Sequence, residues 1–371
     1  MQVRNFELQA QHAELMPELT EAFRTVVEQC HFINGDNCKN LESQIATLCG
    51  NNHGLGLNSG TDALLMALLA LGVGPGDEVI TTPFTFVATA ETICLAGATP
   101  VFADIDLQTF NLDPESVRAK VTPKTKAMLP VHLFGLPADM DAFQNIKAEH
   151  GIPIVADGAQ SIGAEYDGKP LGQWSDLLTL SFYPTKNLGA CGDGGMVLTN
   201  SGDQAEHIRL LRSHGAGGTY VYKEIGYCSR LDELQAAIVR IKLNKLEEWN
   251  EKRRANAAFY DTNLASLSDH IVLPHASEKC SHVYHQYTIR VADGKRDALK
   301  KHLESKGVFP AVFYPGALHL EAAYEYLGYT RGELPNSERA TEQVLSIPVH
   351  PYLNQDQRAL VASALQSFYQ L

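Results

Sequence analysis

From about residue 54 to residue 200, short runs of apolar residues alternate with stretches whose apolar positions recur at helical spacing. GLGLN is followed by TDALLMALLALG, and DEVITTP by FVATAETICLAG. Then come ATPVFADI, KAMLPVHLF with MDAFQNIKAEHG, IPIVADG, LLTLSFY and GGMVLTN. A strand with one wet face alternates apolar and polar residues, whereas these runs are apolar throughout. They read as parallel strands covered by helices on both faces, a doubly wound α/β arrangement with turns marked by stretches such as GVGPGDE. The first fifty residues read as helical with a break at FINGDN, an arm packed against something else.

Beyond residue 200 the texture changes. DQAEHIRLLRSHG reads as one helix, and the stretch from Leu231 to Leu264 keeps helical apolar spacing throughout, which predicts one long helix bridging two domains. A strand (HQYTIRV), a helix (KRDALKKHLESKG), a second strand (PAVFYP) and a closing helix (QDQRALVASALQSFYQ) make a smaller α+β unit. The expected division is residues 1–250 as a large domain with the arm and the bridging helix, and residues 251–371 as a small C-terminal domain. No internal repeat is visible.

The length of 371 residues agrees with two or three domains and a large core. The net charge of −13 narrows the partners: nucleic acids and anionic membranes call for a basic surface, so neither is expected. A small anion in a local positive pocket stays open. The amino end has acidic residues where a signal peptide would need an apolar run, and no apolar stretch reaches the length of a membrane span. Seven cysteines, an odd count without a CxxC pair, support neither a disulfide framework nor a zinc site, so no metal is expected and the cytoplasm is the expected location.

Three stretches carry candidate chemistry. In HGLGLNSGTDA the glycines are spaced G-x-G-x-x-x-G, which does not match a dinucleotide fingerprint. The better reading is a tight strand-to-helix turn that presents the N–H groups of Gly60 and Thr61 to a phosphate; an ordinary capped helix is the alternative. IPIVADGAQS sets Asp157 at the carboxyl end of a buried strand, where a carboxylate needs a cationic or donor partner, or else caps the next helix. In LLTLSFYPTKNLGACGDGGMVLTN a strand ends at Ser181, and Lys186 follows in an irregular turn rich in glycine. That is the setting of a Schiff-base lysine, although a solvated loop lysine fits the same pattern. Taken together, a phosphate cup, a carboxylate and a lysine at the ends of separate strands form the set that pyridoxal phosphate requires.

With these stretches in hand, the sequence resembles the sugar-nucleotide aminotransferases of the DegT/StrS type, among the fold-type I pyridoxal phosphate enzymes. The likeness runs through LNSGTDALLMALLALGVGPGDEVITTPFTFVATAET, ATPVFADID, VTPKTKAMLPVHLFG, VADGAQSIGAEYDGKPLG, SFYPTKNLGACGDGGMV and SRLDELQAAI. It implies an α/β, fold-type I aminotransferase-like architecture: a large domain with a mainly parallel sheet flanked by helices, and a small α+β C-terminal domain. It also implies pyridoxal 5'-phosphate as cofactor, passing through pyridoxamine 5'-phosphate during turnover, and a homodimer with shared active sites.

Residue by residue, the resemblance implies Lys186 as cofactor-binding lysine and proton carrier and Asp157 on the pyridine nitrogen. Gly60, Thr61 and Ser181 would hold the phosphate, Phe86 would stack on the ring, and Gln160 would lie near the ring hydroxyl. By themselves Phe86 equally reads as core, Ser181 as a strand-end hydroxyl and Gln160 as a helix cap. Members acting at sugar carbon 4 carry His or Asn three positions before the lysine, and those acting at carbon 3 an aromatic. Tyr183 resembles the second group and implies a 3-oxo nucleotide sugar, with a 4-oxo sugar as the alternative; the donor would be an amino acid, L-glutamate by resemblance.

Tyr314 and His319 resemble the family's substrate loop, and His31 and Phe32 beside Gly35 its arm. His214 to Tyr222 form a glycine-rich loop able to reach a nucleotide diphosphate. The family's Asn-Ser-Arg-Leu-Asp reads CSRLD here, so Cys228 stands where an asparagine reaches from the partner subunit to the phosphate, with Ser229 as a candidate replacement and Arg230 as a nearby cation. A non-catalytic pyridoxal phosphate-binding regulator is the reading from a different class; a sugar dehydratase on this scaffold would carry His in place of Lys186.

Overall fold

The computed structural model describes residues 1–275, 277–292 and 294–370. The last position of the expected small domain therefore lies outside the described residues, as do positions 276 and 293 within it. Seven strands build the main sheet: β1 (His53–Leu57), β2 (Glu78–Thr81), β3 (Thr99–Phe102), β4 (Thr125–Leu129), β5 (Val155–Asp157), β6 (Leu177–Ser181) and β7 (Gly195–Thr199). β3, β2 and β4 pair in parallel, and bridges from Met128 to Ile154 and from Val131 to Asp157 carry the parallel order on to β5 and then β6.

GGMVLTN, expected as one more parallel strand, departs from that order: β7 is antiparallel to both β6 and β1. A parallel return needs a crossover that carries the chain back along the sheet, usually through a helix. The segment between β6 and β7 is a glycine-rich loop without a helix, so the chain turns back at the edge it has reached.

Neighbouring residues of the central strands enter two different cores. Met196 and Leu198 pack with Leu178, Leu180 and Phe143 on one face, while Val197 packs with Leu177, Val155 and Leu64 on the other. This two-sided burial is the physical cause of the uninterrupted apolar runs. Helix α1 (Leu8–Gln29) and α2 (Asp36–Cys49) form the arm; α3 (Gly60–Ala70) and α4 (Ala88–Leu95) follow β1 and β2. Among the described residues no helix is long and apolar enough to cross a membrane.

The expected single bridge is two helices, α5 (Glu233–Leu243) and α6 (Leu246–Asn263). Helical spacing persists through the junction, but the target of the buried face changes. Ala236 and Val239 pack on the core of the main sheet, whereas Ala257 and Tyr260 pack on a third core built with Val3, Tyr287, Ile289 and Leu345. That core lies on an antiparallel sheet of β8 (Ile271–Val272), β9 (Tyr287–Val291) and β10 (Val344–Ile347). PAVFYP, expected as a strand, makes only the bridge from Ala311 to Ser346. Pro310 and Pro315 lack the N–H that a ladder requires, and the short apolar run at β10 takes that place.

Candidate active site

Leu57, Ser181 and Gly195 stand abreast in the register, so the segments after β1 and β6 open at one edge of the sheet, where Asp157 ends β5. From β1 the chain turns through Asn58 into α3. Ser59, in extended conformation, accepts the Asp62 N–H through its hydroxyl oxygen at 3.0 Å and caps that helix. The N–H groups of Gly60 and Thr61 remain outside the helix's own hydrogen bonding, at its positive end. Space makes residue 60 a glycine: a Cβ there would lie 2.6 Å from Ser181 Cβ, and one on Gly195 would lie 2.2 Å from the Ser59 carbonyl oxygen. The glycines bring the helix start against the end of β6.

Asp157 is buried. Its Oδ2 accepts from the Thr89 hydroxyl at 2.9 Å and its Oδ1 from the Ala159 N–H at 3.1 Å, and Thr89 in turn pairs with Thr85 at 3.1 Å. Burial raises the carboxyl above its usual range, against the pull of those two bonds and of the Lys186 charge. A carboxylate held this way gains most from a cation brought into contact with it.

Lys186 follows a turn in which its N–H donates to the Tyr183 carbonyl at 2.9 Å. Its stem is partly open to solvent, but protein surrounds its amino end. Burial draws the amine down to about 8, and the Asp157 charge opposes that shift. No hydrogen bond from another described residue reaches Nζ. A side chain poised there keeps an appreciable neutral fraction near physiological pH, and that fraction is free to react.

Gln160 accepts the Phe134 N–H at 2.6 Å through Oε1 and donates through Nε2 to the Tyr314 hydroxyl at 3.1 Å. Tyr314 meets Phe84 edge-on with centroids 6.1 Å apart; burial raises its hydroxyl, and the Asp157 charge adds to the effect. Phe86 is 57% exposed, which removes the core reading and leaves its ring free to stack. Tyr183 is 51% exposed beside the lysine turn.

His319 is not brought to this group. Its side chain is fully buried against Phe102 and Tyr329 and shares a hydrogen bond with Glu338 at 3.2 Å. Ser229 does not stand free to replace an asparagine: it is buried and donates to Asp62 Oδ2 at 2.6 Å. Cys228 is exposed, with its sulfur 3.1 Å from Arg230 Nη2 and its carbonyl accepting from Asn58 at 3.1 Å. Phe32 of the arm is exposed, and Gly35 faces the Glu233 carboxylate, which accepts the N–H groups of Asn37 at 2.6 Å and Cys38 at 3.1 Å. Residues 216–222 form a small hairpin with Tyr220, Val221 and Tyr222 exposed.

The sequence reading missed Thr89, Asn187 and His285. Asn187 donates to Asn250 Oδ1 at 2.9 Å and to the Val283 carbonyl at 3.2 Å, and His285 Nδ1 lies 3.1 Å from its Oδ1. An amide oxygen only accepts, so Nδ1 carries the hydrogen. Burial, reinforced by the Lys186 and Arg253 charges, keeps this imidazole neutral. A hydroxyl in the first turn of α4 was a faint signal for Thr89. His285, 98 positions from Asn187, gave none.

The observed groups fit pyridoxal phosphate. Free N–H donors stand at a helix start too tight for any Cβ, an aromatic ring is uncovered, and among the described residues a buried carboxylate lacks a contacting cation and an amine lacks a hydrogen-bond partner. Fold and site define a pyridoxal phosphate-dependent aminotransferase of fold type I. The chain belongs to the DegT/DnrJ/EryC1/StrS aminotransferase family, whose sequence pattern matches residues 14–366. It is 47% identical over 370 residues to the pleiotropic regulatory protein of Geobacillus stearothermophilus, covering 100% of this chain and 99% of that one. It is 41% identical over 360 residues to the UDP-N-acetyl-3-dehydro-α-D-glucosamine 3-aminotransferase of Acidithiobacillus ferrooxidans, covering 97% and 96%. The crystal structure of Streptomyces venezuelae DesV in complex with a ketimine intermediate matches with a TM-score of 0.97 at 40% identity, covering 100% and 99%.

Proposed function

We propose that this aminotransferase moves an amino group from an amino acid, L-glutamate by family resemblance, to the 3-oxo position of a nucleotide-linked hexose. The observation that carries the carbon-3 reading is Tyr183, an exposed aromatic three positions before the lysine. The Acidithiobacillus relative, a 3-aminotransferase, supports it.

Bound pyridoxal phosphate supplies an electron sink for the carbanion formed at the amino acid's α-carbon. Asp157, its carboxylate fixed by Thr89 and Ala159, would hold the proton of the ring nitrogen. Lys186 would hold the cofactor through its amine between turnovers. Once displaced by the donor, its amine at about 8 accepts the α-proton and delivers it onward, a poise close to working pH that suits a general base. Gly60, Thr61 and Ser181 would hold the phosphate, Phe86 would stack on the ring, and Gln160, held by Phe134 and Tyr314, would serve the ring hydroxyl.

The name of the Geobacillus relative suits a regulator. The free Lys186 amine and buried Asp157 favour catalysis, since binding alone needs neither in these states. Incubating the holoenzyme with glutamate and a panel of 3-oxo and 4-oxo nucleotide sugars yields aminated product from the 3-oxo members by mass detection. Product from the 4-oxo members alone would overturn the carbon-3 reading, and no product from any would favour the regulator.

The active form is a homodimer in this reading. Tyr220 is 87% and Ile225 92% exposed, an apolar cost that a partner subunit would remove. Sizing at low concentration gives twice the chain mass; a fully active monomer would sink the idea.

A further inference from the structure

Outside the site described above, the loop that follows Lys186 carries a second group of reactive side chains. Cys191 is exposed, and its sulfur lies 3.3 Å from His12 Nε2 on α1. His12 Nδ1 is 2.7 Å from the Leu8 carbonyl oxygen, an atom that only accepts. The proton of the neutral ring is therefore on Nδ1, and the one lone pair of Nε2 is shared between the thiol and a neighbouring ammonium. Lys242, fully buried, reaches the same Nε2 at 3.2 Å and donates to the Gly189 carbonyl at 2.8 Å. The Gln235 amide fixes the cysteine's backbone from both sides, accepting its N–H at 2.9 Å and donating to its carbonyl at 3.1 Å.

A nucleophile within reach of a base, with the base oriented by a third group and a cation beside it, is the arrangement that activates a thiol. The contrast within the chain is direct. Cys30 is also exposed, but its sulfur donates to the Val27 carbonyl of its own helix, and Cys38 and Cys49 are buried where desolvation raises their thiols. Burial pulls the Lys242 ammonium down, and a negative charge at Cys191 opposes that shift.

We propose that Cys191 is a modification site: an activated thiol that forms mixed disulfides with small disulfide compounds. In the step, the thiol proton passes to His12 Nε2 and Sγ attacks one sulfur of the disulfide. A new S–S bond forms to Cys191, the reagent's S–S bond breaks, and the departing sulfur leaves as a thiolate that takes the proton back from His12. The disulfide is the oxidant, and no other is needed. The inference stands whatever the sugar substrate is.

The test is the rate of labelling of the intact holoenzyme by dithiobis(nitrobenzoate) at neutral pH, with the modified cysteine located by peptide mass. Cys191 labels about tenfold or more ahead of Cys30. His12→Gln, which keeps size but not a proton-accepting ring, slows Cys191 labelling about tenfold and leaves Cys30 unchanged. Lys242→Met, checked for an unchanged melting temperature, slows it in the same sense; if that variant unfolds, His12→Gln decides alone. Labelling of Cys191 at or below the rate of Cys30, or equal rates in wild type and His12→Gln, would overturn the proposal.

Discussion

Replacing Lys186 by arginine reduces transamination by roughly 10,000-fold or more, because the side chain acts both as nucleophile toward the aldehyde and as proton carrier. Arginine keeps a positive charge and length but stays protonated, so it can do neither. Melting behaviour stays close to wild type, since no hydrogen bond from Nζ to another described residue is lost. Borohydride fixes the cofactor to the wild-type lysine and leaves the variant unlabelled. A Lys186→Arg protein with an unchanged rate would refute the mechanism. The same lysine sets a pH dependence: in cofactor-free protein only the neutral amine attacks, so the rate of pyridoxal phosphate capture rises with pH up to about 8 and levels off above it. An unperturbed amine would keep gaining for a further two units or so.

Asp157→Asn gives the second large effect, with opposite signs for activity and stability. Turnover falls by about 100-fold to 1,000-fold, the range for loss of one preorganised electrostatic partner in a closed site, because a neutral amide no longer holds the ring nitrogen protonated. In the cofactor-free protein the same change raises the melting temperature, on the order of 2 °C near neutral pH. The sign follows from the raised carboxyl: the folded state binds that proton more tightly than the unfolded chain. Its contribution to stability is therefore lost as pH rises from the ordinary carboxylate range through the raised value, leaving a buried charge. Asparagine removes that charge and still accepts from Thr89. Calorimetry of the wild-type and variant proteins without cofactor checks this, and a less stable Asp157→Asn protein would mean that Lys186 already compensates the charge.

Much of the architecture was legible because two-sided burial writes itself into composition. Strands such as IPIVADG and LLTLSFY have both faces covered, and a sheet buried on both faces calls for such runs. Strand direction was less legible: GGMVLTN carries the same apolar signal as its neighbours, and only the helix-free return from β6 makes it antiparallel. The bridge between the cores failed for a related reason. Spacing records that residues from Leu231 to Leu264 bury one stripe, not which core each half buries it against.

For the candidate site, the sequence by itself determined residue types at strand ends: a glycine where α3 meets β6, a carboxylate closing β5, and a lysine in a glycine-rich turn. These follow from local backbone demands, which a few neighbouring residues fix. Only the tertiary structure decided what surrounds them. Thr89 reaches Asp157 across 68 positions, Tyr314 reaches Gln160 across 154, and Ser229 closes on Asp62 across 167. Burial and charge at such distances set the Lys186 amine at about 8, leave Phe86 uncovered and withdraw His319 into a separate cluster. Such electrostatics depend on atoms brought together by folding, so no pattern along the chain encodes them.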